Sequence, residues 1–237
     1  MPGTSLEQIE QFEEQGYVVI EDAIQGEELQ RLQTAFDYWI GQYKEDWLEQ
    51  IEKGDASPVW CDIPEPLEKE EAFVDLLDHP SYFPFLQALS GGELLLAGIS
   101  VRMVPCWPLA YTGWHPDMER GAPLHPKLQI YVNDVPPRGG EFGYVPGSHK
   151  TNDSTFFRPQ RNDTMPGHKP LPGKAGTVIV FNAVGLHTAM DNHTQTPRKS
   201  IIIGYDKGAL ENPDSRFSGV ARFCKTPERR KLLRLEV

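Results

Sequence analysis

From Leu94 onward the sequence breaks into short β-type runs divided by turns, and this rhythm constrains the fold more than any other feature. The runs are Leu94–Val104, Leu128–Val132, Phe142–Val145, Thr177–Phe181 and Ser200–Tyr205. With 21 Pro and 21 Gly in 237 residues to interrupt helices, they predict a β core rather than a helical bundle. Residues 1–92 read differently. Leu6, Ile9 and Phe12 fall at helical spacing behind a Ser5/Gln8 capping box, and Gly16 closes that helix. After the β-type run Tyr17–Ile20, a longer helix is marked by Leu29, Leu32, Phe36, Trp39, Ile40, Tyr43, Trp47, Leu48 and Ile51, a face suited to packing on a sheet. Residues 54–68 read as a loop carrying Trp60, and short helices follow around Ala72–Leu77 and Tyr82–Leu89. The expected fold class is mainly β with N-terminal helices.

A chain of this length suits one domain, expected as a helical third (1–92), a β core (93–206) and a basic C-terminal extension (207–237). The net charge of −11 disfavours nucleic acid and anionic membrane as partners, because both would be repelled. The end of the chain runs against that sign, with Arg216, Arg222, Lys225, Arg229, Arg230, Lys231 and Arg234 against Glu228 and Glu236. Such a face is expected to cover the acidic body, on a helix capped at Thr226-Pro227. Cys61, Cys106 and Cys224 are too far apart for a zinc knuckle and odd in number, which fits a reducing compartment. Without a signal-peptide pattern or a long apolar run, the expected location is the cytoplasm. The polar segment 151–173 has the length of a lid or binding loop, with disorder as the alternative.

The chemistry centres on Trp114-His115-Pro116-Asp117. An imidazole and a carboxylate two residues apart share one face of an extended strand, so both can reach one metal ion. Alone, such a pair is more often a hydrogen-bonded turn. A second imidazole, His187, follows the buried-strand pattern Thr177–Phe181 after a turn at 182–185, and Arg198 stands eleven residues further on. An arginine grips a carboxylate through two parallel hydrogen bonds, which lysine cannot reproduce.

Taken together, Gly16-Tyr17-Val18-Val19-Ile20, Trp114-His115-Pro116-Asp117, Gly140 through Lys150 with its Pro146-Gly147-Ser148-His149 turn, and His187…Asn192…Arg198 resemble the phytanoyl-CoA dioxygenase family. The resemblance implies a double-stranded β-helix, a jelly-roll, cupin-like barrel in which distant strand ends meet. It also implies an iron(II)- and 2-oxoglutarate-dependent dioxygenase that hydroxylates a C–H bond of a small-molecule substrate, consuming O2 and releasing succinate and CO2. By the same resemblance His115, Asp117 and His187 are the metal ligands, and Arg198 holds the distal carboxylate of 2-oxoglutarate. Asp117 argues against the halogenating relatives, which carry a small residue there.

Ser200, two residues from Arg198 on the same strand face, is a second candidate contact to that carboxylate. Gln129 and Tyr131 alternate with apolar Leu128, Ile130 and Val132 and are candidates from a neighbouring strand. Met103-Val104-Pro105 stand where many relatives place a lysine for the keto acid, which leaves Arg102 as the substitute. Asn192 is expected to hold the turn or touch ligand. His149 is read as a structural turn residue, His125 and His193 as loop residues near the site, and His79 and His168 as surface residues. Trp107, Trp114, Phe142 and Tyr144 are read as core more than pocket. Two other readings compete: a jelly-roll binding protein without catalysis, and a non-oxidative metal-dependent enzyme of cupin type.

Overall fold

The computed structural model describes residues 6–92, 94–108, 112–151, 165–208 and 215–235. Helix α1 spans Leu6–Gln15 and ends at Gly16, whose φ of +86° is a conformation that side-chain-bearing residues rarely adopt. Ser5 lies outside the described residues, and Leu6 is exposed, so the buried anchor of α1 is Phe12. Strand β1 (Tyr17–Ile20) follows, then the long helix α2 (Gly26–Lys53), closed by Gly54 in the left-handed region. Its buried residues are Leu32, Ala35, Phe36, Ile40 and Trp47. Leu48, expected on that face, is 42% exposed instead, because the stripe drifts round a straight helix of this length.

The expected loop at 54–68 contains a short strand, β2 (Cys61–Asp62), paired with β3 (Leu94–Val104). Helices α3 (Pro66–Lys69), α4 (Glu71–Val74) and α5 (Phe83–Ser90) lead into β3. The remaining strands are β4 (Pro126–Tyr131), β5 (Phe142–Tyr144), β6 (Lys169–Leu171), β7 (Val178–Asn182), β8 (His187–Ala189) and β9 (Arg198–Lys207). A 3-10 helix at Ser215–Phe223 and α6 (Pro227–Leu232) finish the chain.

Two antiparallel sheets result, in the orders β1-β7-β4-β9-β3-β2 and β6-β5-β8. The larger sheet has two different faces, as the alternation in β4 required. Leu128 and Ile130 with Val180, Ile201, Ile203 and Val101 point outward and share one core with Phe36 and Ile40 of α2. Tyr131, Ile179 and Phe181 point inward and meet Phe142 and Tyr144 of the smaller sheet. The Phe142 and Phe181 rings pack at 4.7 Å. This is the double-stranded β-helix: two sheets facing each other, with helix α2 packed on the outside of the larger one.

The basic C-terminal stretch covers the acidic body, as its composition anticipated. Arg229 bonds Asp75 at 2.9 Å and Asp78 at 2.6 Å, while Arg234 bonds Asp206 at 3.0 Å. Thr226 caps α6 through Arg229 N–H. His79 is a correction to the sequence reading. It is buried, hydrogen-bonded to Glu28 (2.9 Å) and Ser81 (2.8 Å), and stacked on Tyr82. A histidine before proline reads as surface only until α2 is laid over it. Among the described residues no helix is long and apolar enough to cross a membrane.

Candidate metal centre

The inner face of the larger sheet is written in its register. Going outward along β9, Arg198, Ser200, Ile202 and Gly204 face inward, opposite Val104, Arg102, Ser100 and Gly98 of β3. On the other side Ser200, Ile202 and Gly204 face Tyr131, Gln129 and Lys127 of β4. Arg198, Ser200, Arg102 and Gln129 therefore share one face, although no two come from adjacent sequence except the β9 pair. The parity of Arg102, unreadable from sequence, is fixed by its pairing with Ser200.

His115 and His187 are brought together by the backbone. Each N–H donates to the other's carbonyl, at 3.1 and 3.0 Å, so His115 adds one rung beyond β8 to the smaller sheet. The turn before β8 is tightly specified. Asn182 accepts from Gly185 N–H and, through Oδ1, from Val184 N–H, and Leu186 N–H donates to Ser148 Oγ at 2.8 Å. Gly185 lies so close to Tyr144 that an added Cβ would stand 1.8 Å from the phenol oxygen. The Pro146–His149 turn thus braces His187 from behind. His149 itself binds Glu13 C=O at 3.1 Å, consistent with a structural role. Asp117 is fixed by its own N–H, which donates to Ala183 C=O at 2.8 Å.

The side chains converge. Among the described residues His115, Asp117 and His187 form the group able to hold one metal ion, with ligand atoms within 4.8 Å of one another. His187 Nε2 lies 3.1 Å from Asp117 Oδ2, and His115 Nε2 lies 3.6 Å from Oδ1. The tautomers suit metal binding. Both Nδ1 atoms face backbone carbonyls, Gly113 at 2.7 Å and Gly185 at 2.9 Å, so in the neutral imidazoles they carry the proton and leave each Nε2 lone pair for a metal, whereas an imidazolium donates from Nε2 to Asp117 instead. Two neutral imidazoles and one carboxylate are the donor set of non-haem iron(II), with coordination positions left for other ligands.

The electrostatics follow from burial and pairing. Burial alone would raise the Asp117 carboxyl, but hydrogen bonds from His115 and His187 and the charge of Lys127 hold it well below the usual range. The His115 imidazole is raised, chiefly by its hydrogen bond to Asp117 and against burial. Burial lowers His187, whose ring packs against both Phe142 and Phe181.

Deeper along β9, Arg198 is 3% exposed, and burial pushes it down to about 10. It donates to Gly140 C=O, but its Nε and the nearby Ser200 Oγ have no hydrogen-bond partner. Among the described residues no carboxylate lies within ion-pair distance of Arg198. A buried cation and a buried hydroxyl left unsatisfied cost folding energy that a bound anion would return. A cavity of about 300 Å³ connects the two features, lined by His115, Asp117, His187, Arg198, Gln129 and Arg102 among others. Arg102 reaches this cavity already paired with Asp62 at 2.9 Å through both Nε and Nη2, and its guanidinium lies over Trp60.

Sequence reasoning missed Lys127, whose Nζ lies 2.8 Å from Asp117 Oδ2. The signal was present in the same alternation that selected Gln129 and Tyr131, two and four residues further on. Asn192 holds a turn: its Oδ1 accepts from Thr194 N–H and Oγ1 and its Nδ2 donates to Thr196 C=O. Tyr131 is likewise structural, donating to Leu171 C=O and accepting from Phe142 N–H. His125 pairs with Asp206 at 2.9 Å and His193 stacks on Trp107, while Trp114 is core with Val145, Met165 and Leu186. His168, expected at the surface, binds Met165 C=O and packs edge-on against Trp114. Of the segment expected as a lid, 152–164 lies outside the described residues; Met165 is buried against Leu186, next to His187.

Comparison with known proteins agrees with this fold. Ectoine dioxygenase from Nocardia farcinica is 20% identical, over 87% of this chain and 78% of its own. The crystal structure of SnoK, a non-haem α-ketoglutarate-dependent carbocyclase from nogalamycin biosynthesis, superposes with a TM-score of 0.64 at 22% identity, covering 92% of this chain and 90% of its own. HygX from Streptomyces hygroscopicus, solved with nickel, 2-oxoglutarate and hygromycin B bound, gives 0.62 at 18% identity over 85% and 86%. The family model for phytanoyl-CoA dioxygenase (PhyH) matches residues 12–200, and the chain belongs to that family.

Proposed function

We propose that His115, Asp117 and His187 hold iron(II) and that Arg198 holds the distal carboxylate of 2-oxoglutarate, with Ser200 and Gln129 completing the cosubstrate's cradle. Family membership makes the chain a non-haem iron(II)- and 2-oxoglutarate-dependent dioxygenase acting on a small molecule. Bound iron with 2-oxoglutarate and O2 supplies the oxidising equivalent that hydroxylates a substrate C–H bond, with succinate and CO2 released. The protein's own part is positional. The backbone bridge between His115 and His187 sets the spacing of two ligands, and the Asp117 N–H bond to Ala183 sets the third. Arg198 orients the keto acid by a two-point grip from its buried place on β9. Phe142 and Phe181 exclude water behind His187. Arg102, neutralised by Asp62, serves as cavity wall.

The observation that carries this reading is a carbonyl-tethered His/Asp/His group that shares one cavity with a buried arginine whose Nε has no partner. A purely ligand-binding jelly roll has no use for the first, and a non-oxidative metal enzyme none for the second. Next to the main cavity lies another of about 290 Å³, sharing Ser100, Lys127 and Ile202, which offers the substrate room beyond the metal. In this reading α2, the β-helix and the C-terminal stretch act as one domain. The experiment is anaerobic titration of iron(II)-loaded protein with 2-oxoglutarate. A visible charge-transfer band is expected, lost in His187→Ala, together with slow succinate release under air. No band in the folded wild type overturns the reading.

A further inference from the structure

We propose that the cavity beside the metal site is a subsite for a carboxylate group of the substrate, held by Lys127, with His125 accepting a hydrogen bond from a hydroxyl or N–H next to it. The inference rests on the iron and 2-oxoglutarate reading above and adds the chemical class of what is oxidised. This cavity measures about 290 Å³ and shares Ser100, Lys127 and Ile202 with the main one. Its polar side chains are Ser100, His125 and Lys127, and among the described residues no carboxylate lines it.

His125 and Lys127 converge over one glycine. A Cβ added to Gly204, which lies opposite Lys127 in the register, would stand 3.2 Å from His125 Nε2 and 3.5 Å from Lys127 Cε. The hollow at Gly204 is thus edged by an imidazole nitrogen and a lysine stem, with side chains sheltered at 12% and 21% exposure. Each is fixed from behind. His125 Nδ1 lies 2.9 Å from Asp206 Oδ1, and the other oxygen of Asp206 accepts from Arg234 at 3.0 Å. A carboxylate only accepts, so Nδ1 carries the proton, and in the neutral ring Nε2 presents a lone pair. The His125 carbonyl accepts from Ala183 N–H, and the Ala183 carbonyl accepts from Asp117 N–H, so the imidazole and the metal ligand share an anchor.

Charge decides what this hollow takes. Lys127 Nζ pairs with Asp117 at 2.8 Å. In the loaded site iron(II) with Asp117 carries a net single positive charge and 2-oxoglutarate with Arg198 a net single negative one, so these four groups cancel. Arg102 is already neutralised by Asp62. The charge of Lys127 is then left over in a sheltered place, where a cation beside a metal also weakens metal binding. One carboxylate restores neutrality and gains a charge-assisted hydrogen bond. A phosphate group would bring more negative charge than the one remaining cation offsets. A purely structural ion pair accounts for Lys127 and Asp117, but not for an acid-free cavity in which a second, carboxylate-oriented side chain meets the lysine.

The test uses the full chain, loaded anaerobically with iron(II) and saturating 2-oxoglutarate, which keeps Arg198 occupied. The probes are butyrate, its neutral counterpart butyramide, and 3-hydroxybutyrate, with binding read by saturation-transfer NMR and the charge-transfer band checked in every sample. Butyrate is expected to bind about tenfold or more tightly than butyramide, the scale of one charge-assisted hydrogen bond, and 3-hydroxybutyrate more tightly again. Lys127→Met should erase the preference for butyrate, Lys127→Arg should keep it, and His125→Phe should erase only the gain from the hydroxyl. Equal binding of butyrate and butyramide, or binding of neither, overturns the inference while the proposed function stands. So does a preference that survives in Lys127→Met, which would mark a probe bound to iron itself, and so does inorganic phosphate binding more tightly than butyrate. A hydroxyl gain that is missing, or that survives in His125→Phe, overturns the part assigned to His125. If Lys127→Met loses the band or does not fold, Gly204→Val, which fills the hollow and leaves the Lys127 and Asp117 side chains in place, decides: butyrate binding should vanish with the band retained, and its survival overturns the inference. Absence of a band in wild type defeats the metal reading and this one with it.

Discussion

At the scale of single residues, the site is governed by what each polar atom is given to bond. The two Nδ1 atoms are satisfied by carbonyls, so in the neutral imidazoles the Nε2 lone pairs are left for a metal; Arg198 Nε and Ser200 Oγ are left unsatisfied, so an anion is called for. Replacing Arg198 by lysine keeps the charge and loses the fork. One charge-assisted hydrogen bond is worth about 1.5–3 kcal/mol, so Arg198→Lys should weaken 2-oxoglutarate binding about 10- to 100-fold, read from the charge-transfer titration, with iron affinity unchanged. Proton competition gives a second expectation. His115 is raised, so in metal-free protein it takes up a proton at a higher pH than ordinary histidine, about 6.5. The metal needs that imidazole neutral. Iron(II) affinity should therefore fall as pH drops from 8 to 6, and His187, held down by burial, should contribute to the fall only at lower pH. An affinity flat across this range would contradict the assignment.

At the scale of elements, the ligands are only as well placed as the turns that carry them. Residues 182–187 link the core strand β7 to the short strand β8, and their path is set by Ser148, Tyr144 and the Asn182 side chain. Gly185 matters here because Tyr144 fills the space where a side chain would stand. Gly185→Ala should cost about 1–3 kcal/mol of stability through overpacking and, by displacing His187, weaken iron binding. Denaturant unfolding and metal titration of the same sample measure the two effects. A variant that unfolds at the wild-type midpoint with wild-type iron affinity would show that Tyr144 relaxes freely. Gly16 does the same work on the other side of this turn, passing so near His149 and Tyr144 that an added Cβ would stand 2.5 Å from each. The Pro-Gly-Ser-His segment is thus a brace between α1 and the metal turn.

At the scale of the whole molecule, the larger sheet separates two kinds of interior: an apolar one shared with α2, and a polar cavity between the sheets. Stability and chemistry can then be changed independently. Phe36, fully buried on the outer side, should cost about 3–5 kcal/mol as Phe36→Ala. For a domain of this size that lowers Tm by roughly 6–20 °C, while the folded fraction keeps its charge-transfer band. Loss of the band at full folding would mean that the two sides are coupled. The sequence by itself determined the helical third, the β runs of the core and the covering role of the basic tail, because each of these is written in periodicity, composition or local spacing, while the candidate ligands His115, Asp117 and His187 were named by the family resemblance. Strand β6, with Pro170 at a sheet edge, and the three-residue β8 carried no such signal: segments this short become strands only when a partner's backbone is beside them. The same holds for Arg102, whose side was undecidable until β3 and β9 were in register, for His79, buried only by α2, and for Lys127. Which side chains meet across a barrel depends on pairing register between strands distant in sequence, and that register exists only in the folded chain.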